Sequence, residues 1–265
     1  MNLGQIEDKD YFSRTEVSNS DLSLIKQSWS HFLEKNRRQT TDAMTFGKAF
    51  DQLLLRPVEF HKNFIIAPQE IDRRTKEGKL MYQSLIESGR DILTSSDWTN
   101  LNLMKNNVET HPISSRIIKE SEKEGSFTGI LEGVEVRCKI DIFNQGYLFD
   151  IKTCQSAQSS EFKRTFASYG YHRQMAFYLD ILKQNIEGVR GAGLIPVEKI
   201  SSSSYLPSKC GVNVFWLSEQ SLEQGQFEYK KLLEKYKFFK ENPEIYPGYS
   251  DKIEVLDLPL WALQG

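Results

Sequence analysis

Residues 134–153, VEVRCKIDIFNQGYLFDIKT, decide how this chain folds. Val134, Val136, Cys138 and Ile140 alternate with Glu135, Arg137, Lys139 and Asp141, the two-residue period of a strand with one core face and one polar face. Beyond Gln145 and Gly146 the alternation resumes, with Phe149 and Ile151 on the core face and Asp150 and Lys152 on the other. A two-residue turn at Gln145-Gly146, with glycine where a positive φ is wanted, would join the two runs as a hairpin. Its register sets Asp141 directly across from Asp150, with Cβ atoms about 4.5–5.5 Å apart.

Facing carboxylates repel and destabilise a sheet unless something positive sits between them. A hard divalent cation meets that need, because Mg²⁺ takes one or two carboxylates and leaves positions for water and phosphate oxygens. Lys152, on the same face as Asp150, would hold its ammonium beside such an ion, to orient or deprotonate water and to balance charge on phosphorus. The bare pattern also describes an ordinary solvated hairpin face, since Asp, Lys and Arg usually lie at the surface. Gln174 and Tyr178, four apart on a predicted helix, would project an amide and a phenol together toward a groove.

Outward from the hairpin, the first half reads as helical. Residues 18–21 offer N-caps for one helix through LSLIKQSWSHFLEK, where Leu22, Ile25, Trp29, Phe32 and Leu33 recur at helical spacing. A second helix over 42–55 stops at Pro57, a short extended piece follows at 64–66, DRRTKEGK opens a helix to Ser88, and further helical turns fill 98–119. Near Glu124 the period changes, and strands over 126–131, 134–143 and 147–153 read as a meander. A helix over 169–182, strands over 189–197 and 212–217, and a last helix over 219–240 that ends before Asn242-Pro243 complete the pattern. The serine run 201–204 reads as a loop, and a tail with Pro247, Gly248 and Pro259 closes the chain. This order predicts an α+β or mixed α/β single domain over 1–265, with a helical part at 1–120, the sheet and site at 121–217, and a terminal helix and tail at 218–265.

A hydrophobic content of 39% is ample for a sizeable core. The formal charge of −2 gives no global basic balance of the kind nucleic-acid binders often show. Arg73, Arg74, Lys76 and Lys79 are the densest local supply of phosphate contacts, against a reading as a solvated helix face. Cys138, Cys154 and Cys210 are too few and odd in number for a disulfide framework, which suggests a reducing cytoplasm. MNLGQIEDKD lacks a basic region followed by an apolar stretch, and no 18 apolar residues run consecutively, so cytoplasmic location without secretion or membrane spanning is expected.

YHRQMAFY at 171–178 joins SNSDL at 18–22, FGKAFDQLLLRPVEF at 46–60, DRRTKEGK at 72–79, the D…DIK core and PGYSDKIEVLDLPLWAL at 247–263. In their order and spacing these segments resemble the exonuclease VIII (RecE-type) branch of the PD-(D/E)XK nuclease superfamily, related to RecB-type nucleases and lambda exonuclease. The resemblance implies a restriction-endonuclease-like α/β core, a central mixed sheet flanked by helices. It also implies a Mg²⁺-dependent, two-metal exodeoxyribonuclease, with Mn²⁺ as a substitute, acting on linear double-stranded DNA from an end in recombination or repair. Asp141 and Asp150 would be metal ligands, the Ile151 backbone a carbonyl ligand, Lys152 the catalytic lysine, and Gln174 and Tyr178 active-site helix residues. Glu124 stands where the family often has an acidic ligand, with Glu122 a close competitor. A single-strand annealing recombinase as partner, a homo-oligomeric ring enclosing DNA and a phage or prophage origin follow from the same kinship. One position departs from it: the family motif G-x-x-x-H becomes Gly47 followed by Asp51. Aspartate is itself a hard-metal ligand, and the competing reading is an exposed helix residue. His31, His61, His111 and His172 read as packing or surface residues, His172 being the one exception beside the active-site helix. The alternatives are an inactive DNA-binding module of the same fold and a nuclease subunit of a larger repair complex.

Overall fold

The computed structural model describes residues 6, 8–37, 39–68, 71, 74–199 and 211–258; Arg73, serines 201–204, Cys210 and the tail from Pro259 lie outside the described residues. Helix α1 (Asp8–Ser13) precedes α2 (Asn19–Gln27). Ser18 caps α2 in a capping box: its hydroxyl accepts from the Asp21 N–H, and the Asp21 carboxylate accepts from the Ser18 N–H. The predicted continuous helix through Lys35 is broken at Ser28, which is extended at φ −167° and ψ 164° and caps a separate helix α3 (Trp29–Leu33). Burial explains the break. It turns the Trp29 ring onto Phe239, 5.3 Å between centroids, in the core.

Helix α4 (Asp42–Leu55) starts at its Thr41 cap, and Pro57 opens a new helix, α5 (Pro57–Asn63), at a position where its missing N–H costs nothing. Strand β1 (Phe64–Ile66) pairs in parallel with β2 (Asp91–Leu93), a three-residue strand too short to reveal itself by periodicity. Helix α6 (Lys76–Glu87), capped by Thr75, lies between them, and α7 (Ser95–Thr110) and α8 (Pro112–Lys119) follow.

The main sheet comprises β3 (Glu122–Leu131), β4 (Val134–Asn144), β5 (Tyr147–Cys154), β6 (Gly191–Glu198) and β7 (Phe215–Trp216), in that spatial order. Neighbouring strands are antiparallel except β5 and β6, which are parallel. Such a pair needs a crossover, and α9 (Ser159–Ser168), which periodicity does not show, and α10 (Tyr171–Asn185) supply it. The last helix is α11 (Glu219–Glu241). One core packs α2, α10 and α11 on one face of the sheet, and a second packs α4, α5, α7 and α8 on the other. The result is a mixed α/β fold with a five-stranded mixed sheet between helical layers. Among the described residues no helix is long and apolar enough to cross a membrane.

The hairpin forms as its turn chemistry predicts. Gln145 and Gly146 both take positive φ, 48° and 90°, and the register pairs Asn144 with Tyr147, Phe143 with Leu148 and Ile142 with Phe149. The next pair in that register would be Asp141 with Asp150, but the ladder stops before it. Strand β4 continues along β3, and its freed edge is taken by Val17, which donates to the Glu135 carbonyl and accepts from the Arg137 N–H. The alternation also switches at Asp141. Ile140 packs in the α10 core and Ile142 in the α4 core, although strict alternation puts both on one face. The supposed polar face of β4 is covered at Arg137, which is buried with its guanidinium over the Tyr11 ring and donating to the Arg14 carbonyl, while Glu135 stays exposed.

Candidate functional site

The point where β4 and β5 part is where the candidate side chains meet. Asp141 does not stand across from Asp150 as a cross-strand pair; its Oδ2 accepts from the Ile151 N–H at 2.8 Å and so replaces the missing rung of the ladder. In an extended strand one residue's N–H and C=O point to the same neighbour, so the Ile151 carbonyl faces the same gap. Asp150 is buried on β5. Its Oδ1 accepts from the Gln174 amide at 2.9 Å, and its Oδ2 lies 2.5 Å from the Lys152 ammonium.

Because the strands separate, helices from both layers reach this gap. From α10 come Gln174, Tyr178 and, one turn earlier, Tyr171, whose ring lies 5.0 Å below the Lys152 ammonium. From α4 comes Asp51, 3.8 Å from the Arg56 guanidinium. From β3 comes Glu124, buried and inside the strand at φ 51°, in a break between the Lys123–Ile142 and Gly125–Ile140 pairs. Glu124 is held between the Arg56 guanidinium and the Lys139 ammonium, the latter at 3.6 Å. Of the two acidic candidates near the start of β3, Glu124 therefore joins the site.

The electrostatics follow from crowding acids in a covered gap. Burial first, then Glu124 and Asp150, raise the Asp51 carboxyl to about 7, against the opposing pull of Arg56. Burial and the charges of Asp150 and Asp51 likewise push Asp141 well above the usual carboxylate range. Burial alone would lower the Lys152 ammonium, but Asp150 and Asp141 outweigh it and hold it above the ordinary lysine value. Burial keeps the Tyr178 phenol protonated well past its usual range, with Tyr11 and Asp150 adding to the effect. Four carboxylates thus share three cations, Lys152, Lys139 and Arg56.

The donor set is all hard oxygen, which suits Mg²⁺ or Mn²⁺ rather than a softer ion. Among the described residues no three His, Cys, Asp or Glu side chains already form a metal cage, in keeping with the protein cations wedged between the acids. The unrelieved like charge on Asp51 and Asp141 is the feature a divalent cation would answer.

Other predicted residues are placed elsewhere. Arg74, Lys76 and Lys79 are exposed at and before the start of α6. His172 faces α11, its ring nitrogen 3.0 Å from Glu228, and serves packing between helices. Arg56, Lys139 and Tyr171 escape sequence reasoning. Only Tyr171 leaves a local signal, three residues before Gln174 on the same helical face.

A family model described as a PDDEXK-like domain of unknown function (DUF3799) matches residues 18–259. A solved structure described as a "putative exonuclease" from Eubacterium rectale superposes with a TM-score of 0.67 at 15% identity, covering 98% of each chain. A phage-related exonuclease from Haemophilus somnus 129PT has a TM-score of 0.34 at 14% identity, over 72% of this chain and 94% of the other. Comparison with curated proteins gives no match. The first superposition carries the fold, and the second is too distant to add to it.

Proposed function

Since the chain belongs to the PDDEXK-like family DUF3799, we propose that it is a divalent-metal-dependent DNA phosphodiesterase, and specifically an exonuclease that hydrolyses linear double-stranded DNA from an end. One observation carries this reading: Asp141, the Ile151 backbone, Asp150, Lys152 and Gln174 are tied to one another at the gap between two strands. Asp141, Asp150 and the Ile151 carbonyl would hold the metal, with Glu124 and Asp51 at its flank. A bound divalent ion supplies Lewis acidity toward a phosphate oxygen and a more acidic water.

The chain's own residues do the rest. Gln174, by donating to Asp150 Oδ1, fixes the carboxylate's orientation and leaves Oδ2 for a cation. Lys152 now supplies that cation, and its raised pKa makes it a charge donor at neutral pH. It would neutralise charge building on the phosphoryl oxygens and orient or deprotonate water beside the metal. Tyr178 stays a neutral phenol able to donate a hydrogen bond. Asp51, in place of the family's histidine, adds negative charge that favours hard oxygen-preferring ions.

The membership and the superposition support the fold, and the tied constellation supports the chemistry. The exonuclease VIII-type substrate, an annealing recombinase as partner and a ring assembly rest on the sequence resemblance. The decisive experiment incubates the pure protein with linear and closed circular duplex DNA plus Mg²⁺ or Mn²⁺, with Asp150→Asn as control. The wild type should degrade only the linear form and the variant neither. Cleavage of neither DNA together with no Mg²⁺ or Mn²⁺ binding in isothermal titration would instead favour the inactive DNA-binding module, and metal binding without cleavage the subunit of a larger repair complex.

A further inference from the structure

An aromatic series runs outward from Lys152. Its ammonium lies 5.0 Å from the Tyr171 ring, and that ring stacks on Tyr169 with centroids 5.7 Å apart and planes 15° from parallel. Behind Tyr171 the rings of Phe162 and Phe215 continue the stack, at 6.2 Å and then 5.6 Å. Tyr171 is anchored by this packing, whereas Tyr169 is 69% exposed. A single exposed tyrosine is ordinary on a protein surface. This one is the open end of a stack whose next ring, Tyr171, touches the lysine of the site.

The local chain explains why the ring stands there. Tyr169 caps the C-terminus of α9, and Gly170 in the left-handed region, φ 67°, turns the chain into α10. A Cβ at Gly170 would come within 3.3 Å of the buried Arg173 guanidinium, which donates to Asn19 and Ser23 of α2. The junction is thereby pinned to the body of the protein. Two exposed cations, Lys163 and Arg164, lie on the adjoining helix α9.

We propose that Tyr169, backed by Tyr171, is a stacking platform for the base of an unpaired nucleotide next to the phosphate held at Asp150 and Lys152. Aromatic faces bind single-stranded bases with little sequence preference, and nearby cations follow the backbone. The platform separates the terminal nucleotide from its complement while the neighbouring phosphate is positioned. The inference rests on the reading of the site as a DNA phosphodiesterase and adds a residue that neither holds metal nor reacts.

The test is a binding measurement with a separate activity control. Duplex DNA carrying a short single-stranded end, with 2-aminopurine in that end and phosphorothioate linkages against cleavage, is titrated with protein in Ca²⁺. Stacking on tyrosine quenches the probe. Tyr169→Phe and Tyr169→Trp should keep the quenching, and Tyr169→Ala and Tyr169→Leu should lose it, binding the unpaired end roughly five- to a hundredfold more weakly. All four should fold, given the exposure of the side chain. Quenching by Tyr169→Leu equal to wild type would overturn the platform, since an apolar side chain without a π-face would then suffice. So would unchanged quenching by Tyr169→Ala in a protein that still cleaves unmodified linear DNA. If the wild type cleaves no DNA yet shows quenching that depends on Tyr169, the platform stands and the nuclease reading fails.

Discussion

Replacing Asp51 by asparagine in the metal-free protein should stabilise it clearly more at about pH 8 than at about pH 5. In the folded chain the Asp51 carboxyl is raised from 3.8 to about 7. The folded state therefore binds a proton that the unfolded state has already released between those values. Stability associated with that proton is fully present below the unfolded pKa and is lost as pH rises through the folded one. At roughly 1.4 kcal/mol per unit, the shift corresponds to an upper limit of about 4 kcal/mol. Asp51 keeps 29% side-chain exposure, and solvent screening at such a position reduces the figure to about 1–2 kcal/mol. Asparagine is nearly the same size, and Arg56 retains Glu59 and Glu124 as partners, so the substitution leaves no orphaned cation. Urea unfolding in EDTA at both pH values measures the difference directly. Excess Mg²⁺ should reverse the order by stabilising the wild type more, by about 2.7 kcal/mol at a hundredfold excess over Kd if only the wild type binds. An advantage for Asp51→Asn that is equal at both pH values, or a loss at the higher one, would refute the argument.

Three further outcomes are expected. Lys152→Met should slow cleavage by roughly 10²–10⁴, the scale of a positioned electrostatic group, while calorimetric Mg²⁺ affinity holds or improves, because the ammonium now 2.5 Å from Asp150 no longer competes for that carboxylate. Gly225→Ala should destabilise the fold by about 2 kcal/mol in urea unfolding, despite alanine's better helix propensity, since its Cβ would lie 2.4 Å from the His172 carbonyl oxygen where α11 crosses α10. The double variant Lys76→Gln, Lys79→Gln should lower the dependence of log affinity for duplex DNA on log salt by about 2, measured by fluorescence anisotropy, if both exposed lysines contact phosphate. An unchanged slope would leave them as a solvated helix face.

Features set by neighbouring residues were legible in the sequence. The hairpin register follows from Gln145-Gly146, where both residues take positive φ, and α4 runs over the predicted residues because Thr41 caps it and Pro57 stops it. Features set by distant contacts were not. Ser28 breaks a periodic helix because Trp29 must reach Phe239 of α11. Arg56 looks like a helix-end residue until the fold brings it to Glu124. The predicted pairing of Asp141 with Asp150 rested on one assumption, that the ladder continues past Ile142 and Phe149.

The failure of that assumption bears on how the site works. Two buried carboxylates held as a closed cross-strand pair would face each other with the sheet sealed around them, leaving little room for a phosphate. With the ladder ended, Asp141 takes the Ile151 N–H as a substitute rung, and the gap admits Asp51 from one helical layer and Gln174 from the other. The switch of Ile140 and Ile142 to opposite cores marks the twist that opens it. Because the gap is lined from both layers, the acids crowd together, and Asp51 and Asp141 are driven upward while Lys152 is held charged. The interruption of β-pairing and the perturbed ionisation therefore have one structural cause. A substitution that restored the ladder should relax both.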